Sequence, residues 1–188
     1  MRKTNRIMIL NLEFKNYRSF KGTCSFTTEP TSSKAKVENL CEVETNAEGN
    51  KKALKISLIF GANASGKTNI IKFLYGLRRW LLNIDNRVGE DIALYQPFKF
   101  DSATADAPTE FTMEFIAQKV RYKYEVHFVR QQIILESLIS YPNGKQTQLY
   151  ERILLPDNKE SDTIKFGSSL SSFKAFNVFK NQLLMSNS

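Results

Sequence analysis

Cysteine and histidine are scarce in this sequence. Among 188 residues the cysteines are Cys24 and Cys41, and His127 is the sole histidine. The chain has no C-x-x-C pair and no histidine cluster, so it lacks the ligand sets of structural zinc sites. We expect both cysteines to be reduced, small, buried or half-buried side chains, because disulfides are rare in reducing compartments.

Long apolar runs are also missing. No run approaches the ~18 residues that a membrane-spanning helix needs. The N-terminus has basic residues before an apolar stretch, as a signal peptide does, but Asn11, Glu13 and Lys15 interrupt that stretch too early. A hydrophobic content of 41% and 12% aromatic residues indicate a folded domain. We therefore expect one cytoplasmic domain over residues 1–188, with no membrane contact.

Acidic residues are outnumbered, with 19 Asp and Glu against 27 Lys and Arg, which gives a net charge of +8. The basic residues concentrate in the first eighty positions, where Lys51 and Lys52 form a pair in a polar stretch. Such a surface fits DNA phosphates. It equally fits a solvated surface with a few phosphate-binding cations, and the sequence leaves both interpretations open.

One stretch indicates a ligand. Gly61 to Thr68 has the sequence Gly-Ala-Asn-Ala-Ser-Gly-Lys-Thr, which fits the P-loop pattern G-x-x-x-x-G-K-[ST]. Its glycines let the backbone form a tight concave loop whose N–H groups point at phosphate oxygens. Lys67 would bring charge to the β- and γ-phosphates, and the Thr68 hydroxyl would bind Mg²⁺. The pattern predicts a site for ATP and Mg²⁺.

The sequence on both sides of this loop supports the prediction. Ile56–Phe60 is a short apolar run with β-branched and aromatic residues, which predicts a buried strand. After the loop, apolar residues recur at spacings of three and four and predict an amphipathic helix that ends near residues 83–86. These residues are Ile70, Leu74, Leu77 and Leu81.

The rest of the chain has mainly the patterns of strands. Leu10–Phe14 alternate in polarity and can pair with Thr23–Thr27, and Tyr141–Lys145 has the composition of a hairpin turn. The single lobe divides into an N-terminal strand pair (1–28), a polar loop (29–52), the P-loop strand and helix (53–86), an antiparallel β meander (97–155) and a loop-rich tail (156–188).

Several segments together carry a family resemblance. The segment from Phe14 to Phe20 contains Asn-Tyr-Arg-Ser-Phe, which is similar to the motif N-[FY]-[RK]-S-[FY]. In the P-loop, Asn69 follows Thr68 and extends the motif by one residue to Gly-x-Asn-x-Ser-Gly-Lys-[ST]-Asn. Pro97–Phe100, Tyr122–Tyr124 and Ile134–Leu138 add weaker similarity. The chain resembles the N-terminal ATP-binding lobe of ABC-type ATPases of the RecF/SMC class. Within that class it is most similar to the bacterial AAA family ATPases of the OLD-like and AbiEii-like groups, many of which act in phage defence.

This resemblance implies an α/β fold, a P-loop NTPase lobe of ABC type. A mixed sheet would surround the P-loop helix, and an antiparallel β meander would follow. Arg18 would help to hold phosphate, Asn69 would lie beside the magnesium or the attacking water, and Gln96 would be a further metal ligand besides Thr68. The implied nucleotide-binding residues are Arg18, Gly61, Asn63, Ala64, Ser65, Gly66, Lys67, Thr68 and Asn69.

The sequence lacks other elements that ABC-type hydrolysis needs. It has no L-S-G-G-Q-like signature loop, no apolar strand ending in Asp-Glu and no switch histidine. Ile153–Asp157 ends in aspartate, but Pro156 cannot donate within a central strand and no glutamate follows. No catalytic residue is assigned. The chain stops where lobes of this class continue into a helical segment, so we expect half of an ATPase, completed by a C-terminal half or a second copy.

The alternative is a non-hydrolysing module in which ATP acts as a conformational ligand or dimerisation clamp. A small-molecule kinase would need a basic lid or an acceptor site, and Arg78 and Arg79 on the predicted helix are poor support for either. Turnover assays distinguish the three, because a kinase needs an acceptor, an ATPase needs only water and a clamp shows binding alone.

Overall fold

The computed structural model describes residues 7–32, 36–47, 49–82, 90–154, 163–168 and 183. A short 3₁₀ turn covers Val37–Asn39. The other elements are β1 (Met8–Lys15), β2 (Cys24–Thr27), β3 (Leu40–Val43), β4 (Lys51–Leu54), α1 (Lys67–Leu81), α2 (Ser102–Ala105), β5 (Thr109–Ala117), β6 (Val120–Phe128), β7 (Ile133–Tyr141), β8 (Thr147–Ile153) and β9 (Thr163–Phe166).

A seven-stranded sheet in the order β2-β1-β5-β6-β7-β8-β9 dominates the fold. The predicted strand pair β1–β2 and the predicted meander β5–β8 are confirmed, and β1 pairs with β5 to join them into one sheet. Every strand pair within the described ranges is antiparallel. The expected mixed sheet around the helix is therefore wrong for this part of the chain.

The segment before the P-loop was expected to supply a central strand of the mixed sheet. Ile56–Phe60 was predicted to be a buried strand, but it has no strand assignment, and Ile56, Leu58 and Phe60 are 74%, 74% and 83% exposed. A strand needs a neighbour for its N–H and C=O groups. No described strand pairs with this segment, so its extended apolar sequence stays uncovered.

Helix α1 packs one face against the sheet. Phe73, Leu77 and Trp80 are buried at helical spacing. The Phe73 ring stacks on Phe14 of β1 with centroids 4.3 Å apart, a contact worth about 0.5–1.5 kcal/mol beyond the burial of area. The core therefore lies between α1 and the inner face of the sheet. The expected helix end at 83–86 lies outside the described residues.

The predicted polar loop 29–52 contains a hairpin instead. Strands β3 and β4 pair antiparallel, with Cys41 opposite the fully buried Ala53. The N–H of Leu54 donates to the Thr28 carbonyl at 2.7 Å, which fixes the hairpin beside the end of β2. The short strands are polar because much of their surface is exposed, so composition alone suggested a loop.

A buried polar cluster ties β6, β7 and β8 together. Glu136 and Arg152 are both 0% exposed, and Arg152 Nη1 lies 3.9 Å from Glu136 Oε2. The hydroxyls of Tyr124 and Tyr150 donate to Glu136 Oε1 at 2.8 and 3.0 Å. Burial raises the pKa of both tyrosines, and the Glu136 carboxylate raises it further. These contacts compensate part of the cost of burying two charges.

The predicted loop-rich tail includes one more strand. β9 pairs with β8, Tyr150 opposite Phe166, and Leu183 is buried against the core cluster. Both thiols are free and half-buried, as expected. Among the described residues, no helix is long and apolar enough to cross a membrane.

Candidate phosphate-binding loop

The loop Gly61–Gly66 contains left-handed residues of the kind that form anion nests, and its Ser65 N–H donates to the Ala62 carbonyl at 3.3 Å. Ala64 and Gly66 adopt left-handed conformations, with φ of 64° and 94°, whereas Ser65 between them does not. Successive N–H groups in such alternating conformations converge on one side of the chain, where an anion can accept from them. The loop is followed at once by α1, which begins at Lys67. The positive end of the helix dipole therefore adds to the same site.

The Lys67 ammonium lies against this loop. Its Nζ donates to the carbonyl oxygens of Gly61 at 2.8 Å and Ala62 at 2.5 Å, and it lies 3.5 Å from Ser65 Oγ. The side chain thus folds back toward the start of the loop and is not extended into solvent. A cation in this position can exchange neutral carbonyl partners for phosphate oxygens, which are stronger acceptors.

Gly66 and Asn69 connect the loop to the turn at residues 16–20. Asn69 Nδ2 donates to Ser19 Oγ at 2.9 Å. A Cβ on Gly66 would lie 2.7 Å from Ser19 Oγ and 2.8 Å from Phe20 Cζ, so the glycine lets the two segments approach closely. The Asn69 side chain, expected beside the metal or water, is held by Ser19 in this structure.

The turn itself is fixed by Asn16. Its Nδ2 donates to the carbonyls of Thr104, Ala107 and Pro108 at 2.9–3.2 Å, and its Oδ1 accepts from the Phe98 N–H at 2.9 Å. Asn16 also has a left-handed φ of 54°, which asparagine tolerates better than most residues. One buried side chain therefore fastens the turn to the segment 98–108.

Arg18 follows in the same turn. Its φ is 49°, and its N–H donates to the Gln96 carbonyl at 2.7 Å. The turn thus brings Arg18 beside Gln96 on one side and, through Ser19, beside the P-loop helix on the other. The expected closeness of Arg18 to a bound nucleotide stays a prediction.

The two expected metal ligands differ in their surroundings. Thr68 is exposed on the first turn of α1. Gln96 is half-buried, and its Nε2 donates to the Ala93 carbonyl at 3.0 Å. The described residues contain no group of three or more His, Cys, Asp or Glu that could hold a metal ion. Asn63 is exposed in the loop, as a residue near a bound nucleotide would be.

Sequence reasoning missed the roles of Asn16 and Ser19. Both lie inside the Asn-Tyr-Arg-Ser-Phe motif, so the motif itself was a signal. Their partners are 50 or more positions away in the chain, and only the fold brings them together.

Comparison with known proteins shows the family to which the chain belongs. No curated protein gives a significant match. A family model described as "AAA domain, putative AbiEii toxin, Type IV TA system" matches residues 56–178, which include the P-loop, helix α1 and the meander. The match covers well over half of the chain and includes the loop Gly61–Gly66. The chain therefore belongs to this AAA domain family of nucleotide-binding, ATPase-like proteins.

Proposed function

We propose that the chain binds Mg·ATP in the loop 61–69 and forms the ATP-binding lobe of an ABC-type ATPase. The observation that carries the proposal is the left-handed pair Ala64 and Gly66 directly before α1, with the Lys67 ammonium against the loop. The loop N–H groups would hold the β-phosphate, and the Ser65 N–H would exchange its 3.3 Å bond to the Ala62 carbonyl for a phosphate oxygen. Lys67 would reach the γ-phosphate.

The surrounding residues would have supporting roles. Thr68 would bind Mg²⁺ through its exposed hydroxyl, as P-loop threonines do. Arg18 would contact phosphate from the side of the turn, and Gln96, adjoining it, would contact the metal or the γ-phosphate. Asn69 would exchange its bond with Ser19 for the metal-bound water. Each of these roles rests on the resemblance to RecF/SMC-class lobes and on the position of the turn.

We further propose that this lobe is incomplete for hydrolysis and needs a C-terminal half, with a second copy closing the site. The exposed apolar side chains of Ile56, Leu58 and Phe60 support this, because a central strand of a parallel sheet would be covered on both faces. On α1, the face opposite the core presents Ile71 and Tyr75, each 57% exposed. By resemblance to the OLD-like and AbiEii-like groups, the completed ATPase would act in phage defence.

The same exposed surface favours a second candidate, an ATP-dependent association module that does not hydrolyse ATP. In that case ATP binding would stabilise pairing of the lobe with its partner, and no catalytic carboxylate would be needed. The two candidates differ in whether addition of the partner produces turnover.

Calorimetric titration of Mg·ATP into the wild-type chain and Lys67→Ala tests the binding proposal. Loss of a charge-assisted contact costs about 1.5–3 kcal/mol, so we expect the affinity for Mg·ATP to fall by about 10- to 150-fold. Lys145→Ala, in the exposed β7–β8 turn, is the matched control and should bind as wild type does. Equal affinity in all three proteins would refute the proposal.

A phosphate-release assay tests whether the isolated lobe is incomplete for ATP hydrolysis. The isolated chain should show negligible turnover although it binds ATP. Turnover of about 1 s⁻¹, within the usual enzyme range, would refute the proposal if Lys67→Ala removed it.

A further inference from the structure

The tight turn at residues 17–20 presents a hydroxyl to the first turn of α1. The Tyr17 N–H donates to the Phe20 carbonyl at 2.9 Å, and the Phe20 N–H donates to the Tyr17 carbonyl at 2.8 Å, so two backbone hydrogen bonds close the turn. Tyr17 is buried, and the Phe20 ring packs edge-on against Phe14. Both ends of the turn are therefore anchored in the core, and the exposed Ser19 at its tip is held in place.

The Ser19 hydroxyl meets the side chain of Asn69. Asn69 Nδ2 donates to Ser19 Oγ at 2.9 Å, a distance within the usual range of a hydrogen bond. The backbone N–H of Asn69 donates to the Gly66 carbonyl at 2.8 Å, so the start of the Asn69 side chain is fixed as well. Gly66 leaves room for this approach, because a Cβ there would lie 2.7 Å from Ser19 Oγ. One side-chain hydrogen bond thus joins the P-loop helix to a turn 50 residues earlier in the chain.

This hydrogen bond competes with the role proposed for Asn69 at the magnesium ion. In that role, Asn69 would exchange Ser19 for the metal-bound water. An amide that already has a partner must give it up to take another, so the bond to Ser19 stabilises the empty site relative to the site that holds Mg·ATP. ATP without magnesium brings no metal-bound water and therefore has nothing to offer Asn69 in exchange.

The other contacts of the turn do not involve α1. The Arg18 N–H donates to the Gln96 carbonyl at 2.7 Å, and Lys21 forms an ion pair with Asp101 at 2.6 Å. These contacts hold the turn on the segment 96–101 whichever partner Asn69 has. Loss of the bond between Ser19 and Asn69 would therefore loosen α1 relative to the turn and to that segment.

We propose that Ser19 is a latch for Asn69, which holds the P-loop helix to the turn 17–20 in the empty site and is opened by Mg·ATP. The inference rests on the proposed Mg·ATP site and adds a residue that regulates it. Ser19 is a positioning residue, because it acts through Asn69 and does not touch the nucleotide. A direct contact between Ser19 and a phosphate would have the opposite effect on affinity, so the sign of the effect is decisive.

Calorimetric titration of Mg·ATP into Ser19→Ala measures this competition. Removal of a hydrogen bond that only the empty site makes should tighten Mg·ATP binding by about two- to tenfold. ATP with EDTA should bind Ser19→Ala and the wild-type chain equally. Ser25→Ala is the matched control, because the exposed Ser25 hydroxyl also donates to a side chain, Glu13 at 3.1 Å, on strands β2 and β1. Its affinity for Mg·ATP should equal that of the wild-type chain.

A double-mutant cycle tests whether Asn69 is the partner through which Ser19 acts. Asn69→Ala should weaken Mg·ATP binding, and Ser19→Ala should have no further effect in that background. NMR spectra of the free chain test the bond without nucleotide. The side-chain amide signals of Asn69, assigned by their loss in Asn69→Ala, should move in Ser19→Ala and stay unchanged in Ser25→Ala.

Several outcomes would overturn the proposal. They are weaker or unchanged Mg·ATP binding by Ser19→Ala, an equal gain with EDTA present, an effect of Ser19→Ala that persists with Asn69→Ala, and amide signals of Asn69 that ignore Ser19→Ala. Absence of Mg·ATP binding by the wild-type chain would overturn the P-loop assignment and this inference with it. Binding by the wild-type chain without the effects expected for Ser19→Ala would overturn this inference alone, so the two failures are distinguishable.

Discussion

Replacement of Gly66 by alanine tests whether the loop geometry is what makes the nucleotide site. Gly66 has a φ of 94°, a conformation that side chains other than glycine rarely adopt. An added Cβ would lie 2.7 Å from Ser19 Oγ and 2.8 Å from Phe20 Cζ. The serine hydroxyl can rotate away. The Phe20 ring has less freedom, because it packs edge-on against Phe14 with centroids 5.4 Å apart.

The expected magnitude follows from these two effects. A left-handed backbone costs an L-residue about 1–2 kcal/mol, and forcing an extra methyl into a packed site costs about 1–3 kcal/mol. Together, Gly66→Ala should lower the free energy of unfolding by about 2–5 kcal/mol. Where the chain relieves the strain by moving the loop, the nest opens, and the affinity for Mg·ATP should fall at least about tenfold.

Urea denaturation and calorimetric titration measure the two quantities separately. Gly22→Ala is the control, because a Cβ there meets nothing within 4 Å. Its effect should stay within about 1 kcal/mol, with the sign of a stabilisation, since alanine restricts the unfolded chain. If Gly66→Ala matched Gly22→Ala in both stability and affinity, the loop would not depend on its left-handed glycine, and the site geometry given above would be wrong.

Three further outcomes are expected. Phe73→Ala should lower the free energy of unfolding by about 3–5 kcal/mol in urea titrations, because the ring is fully buried between α1 and the sheet. Asn16→Ala should cost about 1–3 kcal/mol through unpaired buried groups, and Asn16→Asp should not restore it, since the amide donates to three carbonyls. Stability should fall as the pH rises above about 10, because burial raises the pKa of Tyr124 and Tyr150 while unfolded tyrosines ionise near 10.0. Urea midpoints between pH 8 and 11 should show this decline, and Tyr124→Phe should make it shallower.

Much of the meander could be predicted because its signal is local. Alternation along residues 109–128 gives the strand period directly, and Tyr141–Lys145 has the composition of the turn that the structure shows. The helix after the P-loop is also predicted by its local pattern, since Ile70, Leu74, Leu77 and Leu81 repeat at three and four. The exact face is not, because the buried residues are Phe73, Leu77 and Trp80, and the other members of the predicted stripe are only partly buried. Both patterns depend on neighbours along the chain.

Elements that depend on distant partners were predicted less well. Strand β9 and the hairpin β3–β4 have little apolar periodicity, and each is a strand because another strand lies beside it. Ile56–Phe60 shows the opposite error, because its sequence suits a buried strand but no described strand pairs with it. The buried Glu136–Arg152 pair also needed the structure, since a charge in a strand usually indicates an exposed face.

The sequence by itself predicts the candidate phosphate-binding loop, because eight consecutive residues carry the glycines, the lysine and the threonine that the chemistry needs. It also determined that a helix begins there, since the apolar period starts at once. Only the tertiary structure decided what surrounds the loop. Ser19 accepts a hydrogen bond from Asn69 on α1, and Arg18 gains its position from the Gln96 carbonyl. Asn16 fastens the turn that carries both residues to the segment 98–108. Contacts of this kind depend on where the sheet places segments that are distant in the chain, and the local pattern of residues contains no information on those positions.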